Sequence, residues 1–336
     1  MTGVDENAPS LRALLRGIDR FIHAPADPHI AATIRIAVGI LVFTNFVATA
    51  SFVELWWSEH GFLPYQASKL VLAKEAWTVF DWLPHTDFVL WTCWTIAALQ
   101  AALLAAGVFS RFQAVSLFVW LYSFNNRNTM ITDGEDTVFR LIMLCLVFLP
   151  AAWDVWSFDA WLRKKLGKSA PPLRDGWALR IMQLVMCIVL LSAGLEKLNG
   201  NMWWSGTAMY YVMHLDDFFG HYPVPEFVRS SVTISRMLTW PALWIEIGAP
   251  ILIWFKETRR VALVFIVLLH LGIDYMMNLF LFEWIMLAGW LSHADRTDLD
   301  WLLGIWRKLT RRGAQAEARV VRSETHTGAE ARTTCS

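Results

Sequence analysis

The chain has 336 residues, of which 56% are hydrophobic and only 17% charged; it carries 20 tryptophans and a formal net charge of zero. A soluble domain is about a quarter charged, so this composition excludes an ordinary water-soluble fold and points to an integral membrane protein with tryptophans at the lipid–water boundary. Zero net charge argues against a nucleic-acid partner, and Cys93, Cys145, Cys187 and Cys335 show neither zinc-site spacing nor a disulfide framework.

The first predicted element is an amphipathic helix over residues 10–23, SLRALLRGIDRFIH. Leu11, Leu14, Leu15, Ile18 and Ile22 share one face, Arg12, Arg16 and Arg20 another, and Ser10 is placed to cap the first turn. Such a helix lies along a membrane surface or packs against the protein's own cytoplasmic side. Ala48-Thr49-Ala50 mimics a cleavage site, but the apolar run before it exceeds the ~7–15-residue core of a signal peptide, so that run is read as an uncleaved first span.

Eight candidate spans follow, at 30–53, 88–109, 112–130, 137–153, 177–195, 238–255, 260–278 and 281–293. The shorter ones are tolerable where protein surrounds them. The predicted fold is all-α: a polytopic membrane helix bundle of about eight transmembrane helices. Residues 1–29 form a cytoplasmic N-terminal segment, 30–295 the transmembrane domain, and 296–336 a cytoplasmic C-terminal helix and tail. Residues 313–336 are polar and aperiodic, which predicts disorder.

Lys and Arg fix the orientation. With the N-terminus in the cytoplasm, the outer segments hold only Lys69, Lys74, Lys197, Arg229 and Arg236, whereas one inner loop alone holds Arg163, Lys164, Lys165, Lys168 and Arg174. Both termini are therefore expected inside, in a multi-pass protein of the cell membrane. Two long aromatic-containing outer segments, 54–87 and 196–237, are expected to cap the outer face.

Polar residues within the spans mark the candidate site. Lys197 ends span five, and its i−3 and i−4 neighbours, Gly194 and Ala193, are small. That leaves space for a ligand or another helix. Desolvation there would favour a neutral amine usable as a base; a snorkelling boundary lysine fits the same pattern. Asn125, Asn126, Arg127 and Asn128 cannot face lipid and need a cavity, water or each other. Asp133, Glu135 and Asp136 form an outer acidic turn whose glycine position does not fit a calcium loop, so it is read as solvated, with Arg140 nearby as a partner. His270 and Asp274 stand four apart on one face, as in a proton relay, a paired metal site or a simple hydrogen bond. Glu246 and Glu283 are further intramembrane acids, and Arg35 needs a partner such as one of these carboxylates.

Several stretches, in this order and spacing, resemble one known family. They are SEHGFLP (58–64), AGVFSR (106–111), NNRN with DGEDTVFR (125–140), FLPAAWDVWSFD (148–159), AGLEKLNGNMWWSGTAMYY (193–211) and NLFLFEWIM (278–286). The family is the horizontally transferred transmembrane (HTTM) domain family, which includes vitamin K-dependent gamma-glutamyl carboxylase; the resemblance covers about residues 12–295. It implies an enzyme in which a lysine deprotonates reduced vitamin K, the quinol anion reacts with oxygen, and the strong base so formed removes a gamma-proton from a peptide glutamate that then captures carbon dioxide.

On this resemblance Lys197 falls on the catalytic lysine and His270 on a family histidine. Arg127 stands where the carboxylase has a histidine; a guanidinium cannot shuttle protons as imidazole does, but it can stabilise an oxyanion. Asn125, Asn126, Gly194 and Trp203 become the expected positions for the cofactor, a reduced, vitamin K-like quinone. The carboxylase continues into a large extracytoplasmic domain that holds its peptide, whereas this chain is expected to end in a short tail. The implied roles therefore extend to another quinol-linked reaction. They also include a non-enzymatic membrane component that binds lipid, quinone or a small secreted peptide, as in the shorter members similar to the membrane protein involved in maturing the sporulation-delaying toxin.

Overall fold

A computed structural model describes residues 11–72, 76–215, 222–301 and 304. Among these residues there are helices and connecting turns and no strand. In chain order the α-helices are α1 (Leu11–Ile22), α2 (Pro28–Ala48), α3 (Val53–Trp57), α4 (Tyr65–Val71), α5 (Asp87–Ala106), α6 (Ser110–Arg127), α7 (Gly134–Val147) and α8 (Phe158–Lys165). They continue with α9 (Trp177–Lys197), α10 (Asn201–Ser205), α11 (Ala208–Val212), α12 (Glu226–Arg229), α13 (Val232–Leu252), α14 (Arg259–Met276) and α15 (Phe282–Trp290). Each of the eight predicted stretches holds a helix. Three of these, α2, α5 and α9, are long and apolar enough to cross a membrane.

Local sequence sets the helix starts. The Asp27 carboxylate accepts from the amides of His29 and Ile30 while Pro28 occupies the first helical position of α2. Thr86 caps α5 through the Val89 amide, and Ser231 caps α13 through the Ile234 amide. Asp133 and Asp136 form a reciprocal capping box at the start of α7. The predicted acidic turn is thus spent on that helix's free backbone donors.

The helices pack in sequence around the bundle, α2 on α5, then α6, α7, α9, α13 and α14, and α15 closes against α2, α7 and α9. The α2–α5 contact depends on Gly39, where a Cβ would stand 2.6 Å from the Ala105 amide nitrogen. Outward faces carry large exposed apolar side chains, Ile40 and Val47 on α2, Leu99 on α5 and Ile188 on α9. Such faces suit lipid contact.

Arg35 departs from expectation. It is fully buried, and its guanidinium donates to the carbonyls of Leu104 (3.2 Å) and Trp156 (2.6 Å) rather than to a carboxylate. The Leu104 carbonyl is available because α5 ends at Ala106, and the last carbonyls of a helix carry partial negative charge, whereas Trp156 lies in the turn before α8.

The amphipathic segment forms α1. The C-terminal end of α1 packs on the protein: the Phe21 and Trp254 rings meet edge to face, and Arg180 Nε donates to the Phe21 carbonyl at 3.2 Å. His23 Nδ1 meets Asp175 at 2.6 Å, and that hydrogen bond raises the imidazole pKa above its ordinary value and lowers the carboxyl's. Leu14, Leu15 and Ile18, however, remain about half exposed. The expected cap at Ser10 and the tail at 313–336 lie outside the described residues. The chain divides after His293, and in the second unit Arg296 pairs with Asp300 within a short helical turn.

Candidate functional site

Lys197 ends α9 and meets α13. Its Nζ lies 2.5 Å from both carboxylate oxygens of Glu246. The approach depends on Gly194, one turn earlier. A Cβ there would stand 2.9 Å from Ile247 Cγ1 and 3.0 Å from Glu246 Cβ. Of the two occupants expected over Gly194, then, the structure supplies a helix, and the glycine serves packing rather than ligand contact. Glu196 points away and is exposed, as its adjacent position on a helix requires.

Glu246 stands 14 residues beyond Val232, so roughly 21 Å of α13 precedes it. That extension is roofed by the segment after Lys197. Gly200 turns the chain, α10 and α11 fold back, and the Met209 and Tyr210 amides donate to Thr239 Oγ1 (3.1 Å) and Ser235 Oγ (2.9 Å). Trp203 comes with this roof, its ring centroid 5.1 Å from Lys197 Nζ. The Lys197 side chain keeps 27% of its exposure and that of Glu246 only 5%. Pro250 adds a local signal, because it has no N–H to give the Glu246 carbonyl four residues back.

A second buried pair lies behind the first. His270 on α14 and Glu283 at the start of α15 are 2% and 1% exposed, and His270 Nδ1 contacts a Glu283 carboxylate oxygen. Glu246 interacts electrostatically with both. Among the described residues, His270 Nε2 and Glu283 Oε1 have no hydrogen-bond partner. Lys197, Glu246, His270 and Glu283 therefore form one alternating series of bases and acids contributed by four helices.

The remaining predicted site residues lie elsewhere. Asn126 Nδ2 donates to the Trp77 carbonyl at 2.9 Å, and Arg127 donates to the Leu63 carbonyl (2.8 Å) and Glu59 (3.3 Å). Both tie the 54–87 segment over the end of α6, so that segment caps the bundle as expected. Within that segment, Lys69 bridges to Asp81 at 2.5 Å and Tyr65 Oη donates to the same carboxylate. Burial, followed by the Asp81 hydrogen bond, pushes the Tyr65 phenol up to about 12. Asn125 lines a cavity whose walls include neither Lys197 nor Trp203. The described contacts thus bring Lys197, Gly194 and Trp203 together, leave His270 linked to them only electrostatically through Glu246, and hold Asn126 and Arg127 to a different task.

An open groove is lined by Trp204, Arg236, Trp240, Pro241 and Trp244. Leu243, buried at its floor, is one turn from Glu246.

The family model described as the HTTM domain matches residues 23–295. No solved structure matches the chain.

Proposed function

The chain belongs to the HTTM domain family, and from that premise we propose that it is a multi-pass protein of the cell membrane that performs base chemistry on a reduced quinone, with Lys197 as the proton acceptor. The observation that carries this reading is the contact between Lys197 and the buried Glu246 under an aromatic roof. One proton moving from Nζ to the carboxylate turns this ion pair into a neutral amine and a neutral acid, with no net charge created in an apolar setting. That exchange is how a lysine held against a buried acid presents a free amine.

The quinol supplies an acidic hydroxyl and, once deprotonated, electrons for reaction with oxygen. Lys197 takes the hydroxyl proton at Nζ, and Glu246 orients the ammonium so formed. His270 Nε2, buried and unpartnered, is a further acceptor for a proton passing inward. Trp203 and the tryptophan groove orient the ring and exclude water. Arg127 positions the 54–87 cap.

A second reading is a non-enzymatic component that binds a lipid, quinone or small secreted peptide. It is favoured by one feature: both Glu246 oxygens are already engaged by Lys197, which also suits a purely structural clamp. Oxygen and quinol consumption by the purified protein in proteoliposomes separates the two. The enzyme reading expects turnover that Lys197→Met and Glu246→Gln each abolish. Ligand-dependent stabilisation without consumption supports the binding reading and removes the base mechanism.

A further inference from the structure

Two short amphipathic helices stand at the end of the bundle where α2 and α9 begin. α1 is tied there by the Ala26 amide, which donates to the Arg174 carbonyl at 3.1 Å. α8 is tied there by the Asp159 amide, which donates to the Gly107 carbonyl at 3.0 Å just beyond α5. The Asp154 carboxylate, 8% exposed, joins the two attachments, since it meets Arg163 of α8 at 3.7 Å and Arg174 at 3.3 Å. Because α2 and α9 are long and apolar enough to cross a membrane, this end of the bundle falls at a lipid–water boundary, and both helices fall there with it.

The apolar strip of α1 is left uncovered, with Leu14, Leu15 and Ile18 about half exposed. On the other face, Arg16 and Arg20 each donate through Nε to the carbonyl one turn back, both at 3.2 Å. Their terminal nitrogens have no partner among the described residues. Asp19, the acid within the helix, meets His23 at 3.8 Å instead of an arginine. A different sequence gives α8 the same character. Phe158 and Trp161 are 44% and 53% exposed, and their rings lie 5.2 Å apart. Lys165 Nζ stands 5.1 Å over the Trp161 ring, as when a lysine stem follows an apolar face and lifts its ammonium toward water. Arg163 is spent on Asp154, but among the described residues Lys164 and Lys165 meet no carboxylate.

Uncovered apolar strips and unpaired cations, side by side at a membrane boundary, together define their complement. Water alone leaves the leucines and Trp161 wet, and a neutral lipid leaves the cations without a counter-charge. An anionic phospholipid meets both, with acyl chains against the strips and phosphates against the basic groups. We infer that α1 and α8 form a collar that lies in the boundary at this end of the bundle and retains anionic phospholipids. The free forks of Arg16 and Arg20 take phosphate oxygens in pairs, while Lys164 and Lys165 supply point charges beside the second strip. The collar stands at the opposite end of α9 from Lys197, so it does not rest on the quinol chemistry proposed above.

The test releases the full-length protein from mixed micelles holding equal amounts of phosphatidylglycerol and phosphatidylcholine, and native mass spectrometry counts the lipids it keeps. The wild type should keep phosphatidylglycerol in at least about fivefold excess, the weight of one basic residue near an anionic surface. The exposed-site variant Arg16→Gln/Arg20→Gln/Lys164→Gln/Lys165→Gln should keep the two lipids nearly equally. Equal retention by the wild type, or an unchanged preference in the variant, overturns the inference. A second measurement fixes where α1 lies. In liposomes of the Cys335→Ser protein, whose other cysteines are buried, a fluorophore on Leu15→Cys should be quenched by a doxyl-labelled lipid and spared by iodide, and one on Arg16→Cys should show the reverse. Iodide quenching at Leu15→Cys overturns the placement, and so does quenching by neither agent, the sign of a protein surface over the strip.

Discussion

Replacing Lys197 by methionine keeps side-chain length and removes the charge, leaving Glu246 with only 5% of its side chain exposed. Breaking a buried pair in this way costs about 3–5 kcal/mol. A ceiling applies, because the carboxylate can take up a proton instead. From an ordinary glutamate pKa of ~4.3, that costs about 1.36 kcal/mol per pH unit, or about 3.7 kcal/mol at pH 7 and about 1 kcal/mol at pH 5. The sign follows from linkage. The folded variant holds a proton that its unfolded state has lost above pH ~4.3, so its stability falls as pH rises toward 7.

Glu246→Gln should cost less, about 1–2 kcal/mol, because the Lys197 side chain is 27% exposed and can turn its ammonium to water. The double variant should recover part of the Lys197→Met loss. Equilibrium unfolding by dodecyl sulfate in mixed micelles, followed by far-UV circular dichroism from pH 5 to 8, measures all four proteins. A Lys197→Met penalty under about 1 kcal/mol at pH 7, or one independent of pH, refutes a sequestered carboxylate.

Three further expectations follow from the geometry. Gly194→Ala drives a Cβ to 2.9 Å from Ile247 Cγ1 and should cost about 1–3 kcal/mol by overpacking; an unchanged unfolding midpoint contradicts the α9–α13 contact. His23 should titrate above its ordinary 6.5 by NMR and move back toward it in Asp175→Asn; identical titration in the two proteins contradicts the pairing. In intact cells, an impermeant maleimide should label Leu70→Cys but reach Leu173→Cys only after permeabilisation, both positions being well exposed in the structure. The reverse pattern overturns the orientation drawn from Lys and Arg placement.

Much of the architecture was legible because it is local. Apolar runs located α2, α5 and α9, whereas the caps Asp27, Thr86, Asp133 and Ser231 came from the structure. The small residue under Lys197 was visible from helical spacing alone. Its partner was not, since Glu246 is 49 residues away and the rotation of α13 against α9 is a tertiary fact. The same limit explains His270. Spacing offers Asp274 on its own helix, yet the chain turns after Met276 and brings Glu283 onto the imidazole. Asn126 and Arg127 were read as site residues because polar groups there need partners. Those partners turned out to be the carbonyls of Trp77 and Leu63 in a loop whose path no periodicity describes. The ionisable residues Lys197, Glu246, His270 and Glu283 within apolar stretches were the signals that pointed to the buried series.

The claim on which the functional account depends is that Lys197 acts by taking a proton rather than by holding two helices together. Arginine separates these roles, because it keeps the positive charge and the bridge to Glu246 but does not give up its proton. Lys197→Arg, shown by its unfolding midpoint to be as stable as the wild type within about 1 kcal/mol, should consume no reduced quinone in proteoliposomes where the wild type does. Quinol-dependent oxygen uptake by Lys197→Arg at the wild-type rate would contradict the account.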